Sequence, residues 1–141
     1  MKVLAKNKRA TYDYAIEDKL MAGLVLSGAE VKSIKAGHAS LKGSFIHVRD
    51  GEAWLTNAHV TPYANAHEAQ EATRARKLLL HRKQIDEIIK GGHTPVPMAL
   101  LEQKNLVKLE VGLGRGKKRY DKREVIKKRD TERDLQRKLK S

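Results

Sequence analysis

The stretch that most limits what this chain can fold into is its last one, residues 117–141, where twelve Lys/Arg face five Asp/Glu. Only Val125, Ile126, Leu135 and Leu139 are sizeable apolar groups there, too few for a continuous helical stripe. A segment that charged cannot bury a core of its own. One aromatic, Tyr120, sits among Lys117, Lys118, Arg119, Lys122 and Arg123. Glu124 and Lys128, and Asp134 and Lys138, stand four apart in the favourable order, which marks a latent helix. The expectation is a basic tail, 117–141, disordered when free and helical once a polyanion neutralises it. Folding is thereby confined to residues 1–116, the size of one domain with a single core.

Without the tail the chain keeps eighteen basic and twelve acidic residues, so the body is basic too. Its partner should carry negative charge, and nucleic acid is the first candidate. The longest aliphatic runs, 24–26 and 78–80, fall far short of the roughly 20 residues of a membrane span. The opening MKVLAKNKRATYDY has no apolar stretch between its lysines, so no secretory signal is expected and the location expected is cytoplasmic. No cysteine is present, which excludes disulfides and thiolate chemistry and fits a reducing compartment.

Periodicity sketches the elements. Residues 12–21 read as a weak helix and 24–26 as a short buried strand. Ser27 followed by Glu30 is a Ser-x-x-Glu capping box, which predicts a helix with Val31 and Ile34 inward and Gly37 as its stop. Residues 45–49 and 53–60 alternate around Asp50-Gly51, a type I′ hairpin signal, with Ile46 and Val48 inward on one strand and Trp54, Thr56, Ala58 and Val60 on the other. Residues 61–75 read as a loop. Residues 78–80 suggest a strand leading into a helix over 82–90 that buries Ile85, Ile88 and Ile89 and ends at Gly91-Gly92. Pro95 and Pro97 predict a strand that begins at a sheet edge, and 106–113 alternates with Val107, Leu109, Val111 and Leu113 inward. The fold class expected is mainly β with short helices (α+β), as a small antiparallel OB-like barrel carrying a basic C-terminal tail.

Enzyme chemistry finds no support. The six histidines, at 38, 47, 59, 67, 81 and 93, show no i,i+4 pair, so neither a metal site nor a cofactor is expected. GLGRGKK at 112–118 has three residues between its glycines where a phosphate loop needs four, and it lacks the Ser/Thr. No nucleophile elbow or carboxylate pair appears, so no catalytic residue is assigned. Aromatics make up only 4% of the chain, which disfavours a single-strand binder that stacks base after base. A folded RNA held by shape and phosphates fits better, with Arg74, Arg76 and Lys77 beside the 61–75 loop. Trp54 is assigned to the core.

NKRATYDY (7–14), AGLVLSGAEVKSIKAG (22–37), GEAWL (51–55), the PY at 62–63, RKLLLH (76–81) and GRGKKRYDKR (114–123) together resemble the SmpB family of SsrA-binding proteins. Members of that family partner transfer-messenger RNA in bacterial ribosome rescue. The resemblance implies a non-enzymatic factor whose body grips the tRNA-like domain of that RNA. Asn7, Arg9, Glu30, Lys32, Tyr63, Arg74, Arg76 and Lys77 would then serve RNA binding. It also implies that Gly116, Lys117, Lys118, Tyr120, Asp121, Lys122, Arg123, Lys127, Lys128 and Arg129 enter the empty decoding centre and messenger channel of the small ribosomal subunit. Elongation factor Tu and alanyl-tRNA synthetase would be met only through the RNA, by a monomer, with no membrane involved. For Glu30 the capping box offers a second, purely structural role. A basic ribosomal or ribosome-assembly protein is the competing reading of the whole chain.

Overall fold

The computed structural model describes residues 2–62 and 71–116. Nine strands and three short helices follow one another among them. They are β1 (Lys2–Lys6), α1 (Ala10–Asp13), β2 (Tyr14–Leu24), α2 (Gly28–Lys35), β3 (Ala39–Ser40), β4 (Phe45–Arg49), β5 (Glu52–Thr56), β6 (His59–Val60), β7 (Arg76–Leu79), α3 (Arg82–Lys90), β8 (Thr94–Gln103) and β9 (Leu106–Gly116). Seven strands form one sheet in the order β1-β8-β9-β2-β7-β5-β4, while β3 and β6 pair separately. Every ladder is antiparallel. The expected mainly antiparallel architecture is therefore present. Barrel closure is not seen, because no ladder joins β4 to β1 or β8 among the described residues, although β4 and β8 approach each other.

Local chemistry explains the turns. Asp50 and Gly51 adopt φ of 53° and 75°, the left-handed pair a type I′ turn requires, and Arg49 faces Glu52 across it. Lys104 and Asn105 do the same, at 50° and 65°, between β8 and β9. The two prolines of β8 pair only with β9, since β1 covers β8 no further than Ala99. The edge start inferred from Pro95 and Pro97 is thus what the sheet uses.

The core runs between the sheet and α2, with Ile34, Leu41, Leu55, Leu78, Leu100, Leu109 and Val111 almost wholly buried. Ser27 and Glu30 close both halves of the capping box, and Gly37 sits at φ 87° beyond the helix end. In α3, Ile85 and Ile88 are buried but Ile89 lies in solvent.

Three element assignments from the sequence need correction. Residues 12–21 do not form one helix, for only Tyr12 and Asp13 close α1 and the rest belong to β2, which pairs with β9 from Tyr14 to Gly23. The helix-forming Glu, Lys, Leu and Met of this stretch are overridden by a long ladder, and the bulge at Glu17 breaks the two-residue alternation that would have revealed it. Of 24–26, only Leu24 is in the strand, and Val25 is exposed. Residues 53–60 form two strands, because Asn57 at φ 66° interrupts them. That break shifts the phase by one residue. Ala53 and Leu55 are buried before it, Ala58 and Val60 after it, and Trp54 and Thr56 face outward.

Candidate nucleic-acid interface

Glu30 is the centre of a buried ionic cluster. It lies at the third position of α2, where Ser27 N–H donates to its Oε1 at 2.9 Å and its own N–H donates to Ser27 Oγ at 3.1 Å. The same carboxylate takes Arg76 Nε on Oε2 at 2.6 Å and Arg74 Nε on Oε2 at 3.1 Å, while Arg74 Nη2 bonds Oε1. Arg76, only 1% exposed, puts three further donors on the carbonyls of Ala58, Arg74 and Ala72 at 2.8, 3.1 and 3.0 Å. Burial pushes the Glu30 carboxyl up. Hydrogen bonds from Arg74, Ser27 and Arg76, with the Arg76 charge, outweigh it and leave the group below its ordinary value.

This geometry separates residues that the sequence grouped together. Glu30 and Arg76 are buried and bonded to each other inside the protein. Arg74 keeps 30% of its side chain exposed and Lys77 keeps 40%, the latter paired with Glu52 at 3.0 Å. Lys32 is exposed on α2. Tyr63 and the tail residues from Lys117 to Arg129 lie outside the described residues, whose last member is Gly116.

Asn7 and Arg9 meet at a second place. Asn7 is an anchor, with its N–H on the Met98 carbonyl and its Nδ2 on the Pro97 carbonyl, both at 2.8 Å, and its Oδ1 receiving Arg9 N–H at 3.2 Å. Arg9 lies over the Tyr12 ring at 4.7 Å and pairs with Asp13 at 3.2 Å. Two hollows of about 560 and 400 Å³ adjoin here, and both are lined by Asn7, Arg9 and Lys42. Lys6 and Lys8 complete the smaller one, and Phe45, 51% exposed, opens on the larger. Sequence reasoning missed Lys6, Lys8, Lys42 and Phe45. The approach of β4 to β8 and of β3 to β1 brings them to this side, and no local spacing encodes that.

The last described strand ends in a further ion cluster. Glu17, the bulged residue of β2, accepts from Arg115 Nε at 3.2 Å and bonds His93 Nε2 at 2.7 Å, while Arg115 Nη2 donates to the Gly91 carbonyl at 3.3 Å. The hydrogen bond with His93 lowers the Glu17 carboxyl, desolvation opposes this, and the charges of Arg115 and His93 with the Arg115 hydrogen bond add to the lowering.

No group of three or more His, Cys, Asp or Glu is placed to hold a metal among the described residues, and no helix there is long and apolar enough to cross a membrane. An antiparallel sheet with cation-lined hollows on a chain of net charge +13 defines a basic β protein built to hold a polyanion. The chain belongs to the SmpB family, whose model matches residues 4–141. It is 51% identical to an SsrA-binding protein of Pelobacter propionicus, over 99% of this chain and 95% of the relative. An SsrA-binding protein of Lysinibacillus sphaericus is 46% identical over 99% and 94%. A solved structure described as tmRNA-SmpB at the centre of the bacterial ribosome superposes with TM-score 0.67 and 36% identity, covering 89% of this chain and 95% of that one.

Proposed function

We propose that this protein binds the tRNA-like domain of transfer-messenger RNA and accompanies it to stalled ribosomes, as a non-enzymatic factor of trans-translation in the cytoplasm. The observation that carries the reading is the pair of adjoining hollows at Asn7, Arg9 and Lys42, set in a chain whose relatives are SsrA-binding proteins. Exposed cations supply phosphate contacts, and no chemistry is asked of them. Arg9, Lys32, Arg74 and Lys77 are the direct contacts among the residues singled out from sequence. Asn7, Glu30 and Arg76 act by holding that surface in place.

In this reading residues 1–116 form the RNA-binding unit, with the sheet curled toward an OB-like barrel where β4 approaches β8. Residues 117–141, with Tyr120 among the cations, occupy the decoding centre and messenger channel. The protein works as a monomer and needs no cofactor. Elongation factor Tu and alanyl-tRNA synthetase act on the RNA rather than on this chain.

Affinity capture of the tagged full chain from its bacterium, followed by sequencing of bound RNA, tests this. Strong enrichment of one small RNA with a tRNA-like end is the expected result. Stoichiometric ribosomal RNA without it would instead favour a ribosomal or assembly protein.

A further inference from the structure

We propose that the outer face of the β4–β5 hairpin is a stacking platform for unpaired nucleotides of the tRNA-like RNA, with the Trp54 indole as its floor. The inference rests on the RNA-binding reading above and adds a subsite to it. Register places the rings together. Phe45, His47 and Arg49 alternate outward on β4, Thr56, Trp54 and Glu52 outward on β5, and His47 faces Trp54 directly across the ladder. On the other side Trp54 faces Lys77 of β7. Phe45 and His47 have ring centroids 6.0 Å apart, tilted by 44°. His47 is steadied by a 2.9 Å bond between its Nδ1 and Thr56 Oγ1. Three rings therefore form one strip on this face, with Phe45 exposed and His47 and Trp54 half-buried. Beside the indole lies a depression of about 310 Å³ lined by His47, Arg49, Asp50, Glu52, Trp54 and Ala75.

Charge decides which occupant fits. Arg49, with 79% of its side chain exposed, and Lys77 flank the indole, and Arg82 reaches over Gly51 at the hairpin tip. These three cations face two carboxylates, of which Glu52 already accepts from Lys77, while Asp50 lies 3.9 Å from Arg49. A surplus of cations around an aromatic floor suits a base with its phosphate, and the carboxylates can accept from a base amine. A purely apolar peptide would leave these charges unanswered. Double-helical RNA offers no free base face, so the nucleotides taken here are unpaired ones, from a loop or a bulge.

Trp54 is the only tryptophan of the chain, so indole fluorescence reports this depression alone. The full-length protein should be titrated with the tRNA-like domain while the anisotropy of the labelled RNA is followed in parallel. Indole emission should be quenched in step with the anisotropy. Trp54→Ala should weaken binding by about tenfold or more, and Trp54→Phe by less than about threefold, since a face for stacking remains. RNA that binds the wild-type protein while leaving its indole emission unchanged would overturn the proposal and spare the RNA-binding reading. If the RNA does not bind at all, both fall.

Discussion

Replacing Glu30 by Ala removes three things at once: the acceptor for the Ser27 N–H, the partner of Arg74, and the only carboxylate among the described residues bonded to a guanidinium that is 1% exposed. Loss of one member of a buried pair costs about 3–5 kcal/mol, because the other charge stays buried without compensation. Losing half of a capping box adds roughly 1 kcal/mol. Out of a typical 5–15 kcal/mol this is a large fraction, and it corresponds to a drop in melting temperature of roughly 10 °C or more. Glu30→Gln keeps oxygen and shape but not charge, so it should fall between Ala and wild type. The double change Glu30→Ala with Arg76→Met should be more stable than Glu30→Ala alone, since it removes the orphaned cation. RNA affinity should fall as well, because Arg74 loses two of the four bonds that hold its partly exposed guanidinium. Differential scanning calorimetry of the four proteins, with RNA binding measured below their melting points, checks the argument. A Glu30→Ala protein that melts within about 2 °C of wild type but fails to bind RNA would show that the carboxylate works on RNA and not on the fold.

A methyl group added at Gly114 would lie 2.9 Å from the Ala15 carbonyl, whereas Gly116 has open space around it. Gly114→Ala should therefore cost about 1–3 kcal/mol in urea titrations and Gly116→Ala almost nothing. Glu17 has its carboxyl held below the ordinary value of about 4.3, so its clasp stabilises above that pH and the stabilisation is lost as pH falls through the lowered value. Wild type should then exceed Glu17→Gln in denaturant midpoint at pH 7, with the gap closing toward pH 3. Binding of residues 1–116 to the tRNA-like domain should weaken steeply with salt, by a log–log slope of about 0.7 to 0.9 for each phosphate neutralised, and a flat response would rule out phosphate contacts. Tyr120→Ala should leave RNA affinity nearly intact and depress peptide tagging on stalled ribosomes, and normal tagging would show that this ring is not needed in the decoding centre.

What the sequence disclosed, and what it hid, divides by the range of the interactions involved. Ser27 and Glu30 announced their helix because a capping box is written within four residues, and Asp50-Gly51 announced its hairpin because the turn needs two left-handed residues in a row. Pro95 and Pro97 placed a sheet edge through their missing donors. The same proximity misled at Glu30, where the cap was legible but two arginines, 44 and 46 positions away, were not. Arg74, Ala75, Arg76 and Lys77 read as one cationic run, yet strand alternation sends Arg76 inward and Lys77 outward, so neighbours in sequence have opposite duties. Lys6, Arg9, Lys42 and Phe45 make the reverse case, being scattered in sequence and gathered where β4 nears β8 and β3 nears β1. Trp54 shows how little separates the two outcomes. One left-handed Asn57 shifts the phase of β5 against β6, and the indole counted toward the core faces outward beside Lys77. A single residue's backbone thereby turns a packing group into a candidate contact for RNA.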